Sequence, residues 1–216
     1  MYYRCTFRDC TQILMCRDLE DPQTIEDYRR LMPPRVRLVY SDPPWNPGNA
    51  TYWRTHAQMA PCPSYDRFLD AFISVVGLAV ERGAFDLLIE QSINEAHSDY
   101  LLRALERNVV LMPLRRRYEV IYSGRPNALF HFGMRDLHTD PTGMSEDEMT
   151  LRACVGVWAP VGSWVVEPCV GKGMTSRAAH ALGWNLIGSE LAQHRLDITL
   201  KWLERRGYRV EERYDP

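Results

Sequence analysis

An apolar run, Leu38-Val39-Tyr40-Ser41, leads straight into Asp42-Pro43-Pro44-Trp45. This places a carboxylate, two prolines and an indole within four residues. Each proline fixes its own φ and pushes the residue before it toward extended geometry, so the Asp42 and Pro43 carbonyls are held in place. A carboxylate, a fixed carbonyl and a flat aromatic face suit a planar ring that carries an exocyclic amino group. A nucleobase has that chemistry. Taken alone, the tetrapeptide fits a strand that merely ends in an Asp-Pro-Pro loop equally well, so a partner motif must decide.

Trp164-Val-Val-Glu-Pro-Cys-Val-Gly-Lys-Gly173 supplies one. It reads as a strand, an acidic turn, a glycine-rich loop and then a helix, which is how an α/β sheet builds a pocket for an adenosine-bearing cofactor. Gly171 and Gly173 allow the backbone to approach a ligand closely. A following strand, Asn185-Leu-Ile-Gly-Ser-Glu190, ends in a carboxylate about 20 residues from the glycine turn, where an acid usually receives ribose hydroxyls. Glu190 is the expected ribose ligand. G-x-G by itself is equally a tight structural turn, and it is the strand context and the later Glu that favour binding. Lys172 is not followed by Ser or Thr, which excludes a Walker A loop, and no G-x-G-x-x-G is present for a dinucleotide.

The elements that must position these motifs alternate. Arg37 to Ser41 reads as a buried strand. Asn46 to His56, rich in breakers and aromatics, reads as a loop with something to touch. Ser64 caps a helix over 65–82 with Phe68, Phe72, Val76 and Val80 on one face and Gly83 as its stop. Phe85 to Glu90 is a second strand, and Asn94 caps a helix carrying Leu101, Ala104 and Leu105 that ends near Asn108. Strand, helix, strand, helix implies right-handed crossovers and a parallel sheet. The apolar run Val109 to Met112 follows, and then Arg117–Tyr122 and Ala128–Phe132, joined by Ser-Gly-Arg-Pro-Asn, read as an antiparallel hairpin. Ser145 and Glu148 form a capping-box pattern ahead of another helix. Ser163–Glu167 is a strand, Thr175–Leu182 a helix closed by Gly183, Asn185–Ser189 a strand, Ala192–Arg206 a helix closed by Gly207, and Tyr208–Glu212 an edge strand. The segment up to about Arg35 has no clean period beyond a short helix at 24–31 with Thr24 as its N-cap.

Composition bounds the function without choosing it. With 216 residues, 45% hydrophobic and 25% charged, the chain reads as one ordinary globular domain with residues 1–35 as an N-terminal extension. A net charge of -2 means that any polyanion is met by a local basic patch, with Arg115 to Arg117 and Arg125 as candidates. A solvated charge run explains those arginines equally well. Cys5, Cys10 and Cys16 lack paired zinc spacing, so no metal is expected. Six scattered cysteines, no signal-peptide pattern and no apolar run of membrane-spanning length point to a soluble protein in a reducing, cytoplasmic setting.

The motif order, Asp-Pro-Pro-Trp first, Glu-Pro-Cys-Val-Gly-Lys-Gly second and Ile-Gly-Ser-Glu-Leu third, resembles the circularly permuted, β-class amino-methyltransferases that use S-adenosylmethionine. The resemblance covers about residues 37–206. It implies an α/β, Rossmann-like methyltransferase fold, mostly parallel, with an antiparallel hairpin at one end and the permuted motif order. Asp42, Pro43, Pro44 and Trp45 match the family's [D/N/S]-P-P-[Y/F/W] catalytic motif. Glu167, Pro168, Gly171 and Gly173 match its Asp-Pro-Phe-x-Gly-x-Gly cofactor motif, with Glu replacing Asp and Cys169 standing where Phe is usual. His138 to Thr142 resembles the His-Pro-Thr-x-Lys-Pro segment without its Lys-Pro, which carries over Thr142 alone as a cofactor contact.

The implied activity is methylation of adenine N6 in DNA, with cytosine N4 and adenine in RNA as alternatives. Asp42 and the Pro43 carbonyl would accept the amine N–H groups, Trp45 would stack on a base extruded from its helix, and transfer would be direct. Tyr52, Trp53 and His56 fit either the base pocket or ordinary packing. A silent nucleic-acid-binding subunit would usually have lost one motif, and small-molecule or protein methyltransferases generally lack the Asp-Pro-Pro-Trp. Only about a dozen residues separate the hairpin from the helix near Ser145, leaving no room for a target-recognition insert. A short or relaxed target and a homodimer or partner subunit are expected.

Overall fold

The computed structural model describes residues 1–61, 64–92, 95–108 and 112–214, with backbone alone over 95–98. Asn94 as a helix cap, Cys62 and the run beginning at Val109 lie outside the described residues.

Runs such as Leu38-Val39-Tyr40 and Leu87-Leu88-Ile89 are apolar at successive positions, so both faces of each strand must be covered. The chain meets this with three layers. Among the described residues nine strands form one sheet, ordered β5-β6-β4-β3-β7-β8-β2-β1-β9. Its centre, β4 (Asp86–Ser92), β3 (Val36–Ser41), β7 (Trp164–Glu167), β8 (Asn185–Glu190) and β2 (Cys10–Cys16), is parallel throughout. Antiparallel strands flank both edges: β5 (Leu114–Tyr122) and β6 (Arg125–Gly133) on one, β1 (Tyr2–Phe7) and β9 (Arg209–Arg213) on the other.

Alternation sorts the core. Val39, Leu87 and Ile89 face α1 (Pro22–Leu31), α3 (Tyr65–Glu81) and α4 (Glu95–Asn108), where Tyr28, Phe72, Leu101 and Leu105 are fully buried. Leu38, Tyr40 and Leu88 face α5 (Glu146–Gly156), α6 (Met174–Leu182) and α7 (Gln193–Arg205), packing on Met149, Ala178 and Leu196. No described helix is long and apolar enough to cross a membrane.

Five expectations change. The N-terminal segment, which has no clean period, is a β-hairpin whose second strand pairs with β8, from Gln12 beside Leu186 to Cys16 beside Glu190. The N-cap of α1 is Asp21, whose side chain accepts from the Gln23 N–H; Thr24 instead lies inside the helix, its hydroxyl donating to the Asp18 carbonyl. Residues 47–56 form a helix, α2 (Pro47–His56), in place of the loop that their composition suggests. Asn46 accepts from the Asn49 N–H at 2.9 Å and Pro47 occupies the first turn, so the apparent breakers are a helix start. Ser145 is the N-cap of α5 without a side-chain capping bond. Its backbone is drawn into a bridge with Ile121 and Glu146 adopts φ 46°, which prevents a capping box. The β5–β6 hairpin turns on Ser123-Gly124 alone, both at positive φ, because Arg125 and Pro126 already pair with Tyr122 and Ile121.

Candidate active site

Strand order reverses at β3. After it the chain places β4 on one side and, having built the hairpin, returns to place β7 on the other. Val39 lies beside Val166 in this parallel pair, so the loops after Ser41 and Glu167 leave the sheet next to each other. A crevice beyond the carboxyl ends of such strands is where open α/β sheets bind ligands. A cavity of about 300 Å³ occupies it, within the range of small-molecule sites.

Of the residues singled out in the sequence, Asp42, Pro44, Glu167, Pro168, Cys169, Gly171 and Glu190 line this cavity. Pro43 is buried, and the Pro44 carbonyl accepts the Tyr65 hydroxyl at 2.6 Å, pinning the proline loop to α3. Trp45 does not line the cavity; its indole N–H donates to Asp42 Oδ1 at 3.2 Å. The indole on the cavity wall is that of Trp53, from α2, with the Arg195 guanidinium 4.0 Å from its centroid; Tyr40, Phe68 and Tyr122 also line the cavity. Thr142 is exposed on the turn before α5 and lies outside the group.

The acidic and glycine positions organise the second half. Glu167 accepts the Cys169 N–H at 3.0 Å and the Thr175 hydroxyl at 2.8 Å, clamping the loop to the first turn of α6. Glu190 accepts the Gly171 N–H at 2.8 Å and the Ala192 N–H at 2.9 Å, joining the glycine loop to the start of α7. Gly173 sits at φ 83°, and a Cβ there would meet Thr199 Oγ1 at 2.5 Å. Gly173→Ala is therefore expected to lower stability by about 1–3 kcal/mol. Adding Thr199→Ala should restore part of the loss in Tm, since it removes the two nearest atoms, Oγ1 and Cγ2, and leaves Cβ at 3.1 Å and the strained φ. An unchanged Tm in Gly173→Ala alone would contradict this.

The sequence reading missed other members of the site. Glu90, in the last half of β4, and Arg195, on α7, both line the cavity. Arg54 reaches from α2 to Asp18 at 2.6 Å and Glu20 at 3.1 Å, tying α2 to the segment after β2. Tyr28 donates to Ser189 Oγ at 2.9 Å, and Ser189 donates to the Pro168 carbonyl at 2.9 Å. The N-terminal segment thus braces the glycine loop, something no local pattern in residues 1–35 announces.

Carboxylates dominate the electrostatics. Burial pushes Glu167 up to about 8. It also pushes Asp42 up to about 6, against the Trp45 hydrogen bond and the Arg195 charge. Burial and then the Asp42 charge hold Glu90 well above the usual carboxylate range. Since the ordinary values are 4.5 for Glu and 3.8 for Asp, the folded chain binds protons that the unfolded chain has released between those values and about 8. Its stability is therefore highest at the acidic end of that window and falls as pH rises through about 6 and then about 8. The urea midpoint of the ligand-free protein should drop from pH ~5 to pH ~8; a midpoint that climbs would show that these groups ionise freely in the fold. Among the described residues no group of three or more His, Cys, Asp or Glu is placed to hold a metal ion.

No protein-family model and no curated protein sequence matches the chain. Solved structures do. The M1.HpyAVI–SAM complex superposes with a TM-score of 0.61 at 15% identity, over 88% of this chain and 98% of that one. TTHA0409 from Thermus thermophilus, complexed with S-adenosyl-L-methionine, gives 0.56 at 16% identity over 89% and 93%. PvuII DNA methyltransferase, cytosine-N4-specific, gives 0.55 at 11% over 89% and 93%. The chain has the α/β fold of these methyltransferase structures, a mixed sheet with a mostly parallel core.

Proposed function

We propose that the protein is an S-adenosylmethionine-dependent DNA methyltransferase of the permuted β-class, acting on the N6 amino group of adenine by direct in-line transfer. The observation that carries this reading is the meeting of the Asp42 loop and the 167–173 loop in one cavity at the strand-order reversal. The similar structures that hold S-adenosylmethionine support the choice of cofactor.

The residues present fit that cofactor. Glu190 would take the ribose hydroxyls with the glycine loop beside it, and Arg195, which lines the cavity, would meet the amino-acid carboxylate. Bound there, S-adenosylmethionine supplies an electrophilic methyl group. An aromatic amine is a poor nucleophile because its lone pair is delocalised into the ring. Asp42, accepting one amine N–H beside the Pro43 carbonyl, favours a more pyramidal nitrogen with its lone pair aimed at the donor. Positioning and electrostatics then carry the catalysis. Trp53 offers a stacking face at the cavity wall, which Trp45 does not line.

Cytosine N4 is the second reading, favoured by the cytosine-N4-specific enzyme among the similar structures. Residues 134–145 are all that separate β6 from α5, which supports a short or relaxed target and a second subunit. DNA incubated with the protein and methyl-labelled cofactor, digested to nucleosides and analysed by mass spectrometry, is expected to yield labelled N6-methyladenine. Labelled N4-methylcytosine would overturn the inference from Asp42, and label confined to RNA would overturn the choice of DNA.

A further inference from the structure

Glu90 is 1% exposed, lines the cavity and is not used by the mechanism above. Register places it level with Asp42: Ser41 pairs with Ile89, so the next residues, Asp42 just past β3 and Glu90 still within β4, lie side by side. One carboxyl oxygen, Oε1, accepts the Tyr40 hydroxyl at 2.7 Å. The other, Oε2, is buried and has no hydrogen-bond partner among the described residues. A buried polar atom without a partner is costly unless a ligand satisfies it.

We propose that Glu90 reads the acceptor base: its neutral carboxyl donates an O–H from Oε2 to the ring nitrogen beside the amine, N1 of adenine or N3 of cytosine. This rests on the methyltransferase reading and deepens it. Asp42 accepts from the amine while Glu90 donates to the adjacent ring nitrogen, an acceptor-plus-donor pair that complements the edges of adenine and cytosine. Guanine and thymine present a ring N–H at that position, donor against donor, and are rejected. The division of charge follows from the surroundings. Asp42 has the Trp45 indole N–H and the Arg195 guanidinium to favour its anion. Glu90 faces Asp42, Glu167 and the Tyr40 hydroxyl, with Tyr122 and the buried Cys154 thiol also near, and no cation among them. A carboxyl so placed stays protonated and acts as a donor.

The test compares methyl transfer to one oligonucleotide carrying adenine or 1-deazaadenine, in which N1 is replaced by C–H; 3-deazacytosine serves in the same way for cytosine. The wild-type protein should prefer the natural base in kcat/KM by about tenfold or more. Glu90→Leu should bring that preference close to one. Glu90→Gln, which keeps an N–H donor, should retain it, and this arm stands even where the leucine variant folds poorly. A wild-type protein indifferent to the ring nitrogen, a preference that survives in Glu90→Leu, or one lost in Glu90→Gln would each overturn the role. Absence of transfer to any adenine or cytosine substrate would instead sink the methyltransferase reading itself.

Discussion

Replacing Asp42 with alanine is expected to lower methyl transfer by about three orders of magnitude while leaving cofactor affinity unchanged within error. Asp42 follows β3 on the side of the cavity that the proposed function gives to the acceptor; the loop after β7 and the end of β8 would serve the donor. The alanine variant also releases the Trp45 indole N–H, so Asp42→Asn, which keeps an acceptor for it, separates the two effects. Asparagine should recover loop order and little of the rate, because a neutral amide stabilises the developing positive charge on the amine less than a carboxylate does. Titration calorimetry and a tritiated-methyl assay read the two halves independently. Normal turnover in Asp42→Ala would remove the basis of the mechanism.

Glu190→Ala is expected to do the reverse. Its carboxylate accepts from the Gly171 and Ala192 N–H groups, and in the proposed complex it also receives the ribose hydroxyls. Charge-assisted hydrogen bonds of this kind are worth roughly 1.5–3 kcal/mol each, so the cofactor Kd should rise by about 10- to 100-fold. Saturating cofactor should rescue much of the rate. The Asp42 variant permits no such rescue, which makes the pair diagnostic. Truncation also leaves two backbone donors without their acceptor, and a lower Tm should accompany the weaker binding. Unchanged affinity would mean that the carboxylate serves the loop alone.

The parts of this fold that were legible in the sequence are those whose pattern is local. Continuous or alternating apolar strand runs and 3.6-residue periodicity marked β3, α3, β4, the β5–β6 hairpin and the β7-α6-β8-α7 run. What escaped was tertiary. β1 and β2 turn on Arg8-Asp9, with Arg8 at φ 50° and no glycine or asparagine to signal a hairpin, and β2 owes its place to pairing with β8. In α2, Pro47-Gly48 reads as a break until Asn46 is recognised as a cap. The acid and glycines of the site stood out because their types are unusual at strand ends. Glu90 lies within β4, and only the register between β3 and β4 sets it beside Asp42. Arg195 and Trp53 come from helices separated by well over a hundred residues, and their contact is a property of packing.

The central claim is that one cavity receives methyl donor and methyl acceptor side by side. A bisubstrate ligand tests it most directly: adenosine joined through its N6 to the position of the sulfonium centre in an S-adenosyl analogue. Binding measured by calorimetry should exceed that of S-adenosylhomocysteine on the order of 10²-fold, since the second half is then presented intramolecularly. Asp42→Ala should lose that increment alone. A bisubstrate ligand that binds no more tightly than S-adenosylhomocysteine to the wild-type protein would contradict the account, because the two loops would then not serve a common site.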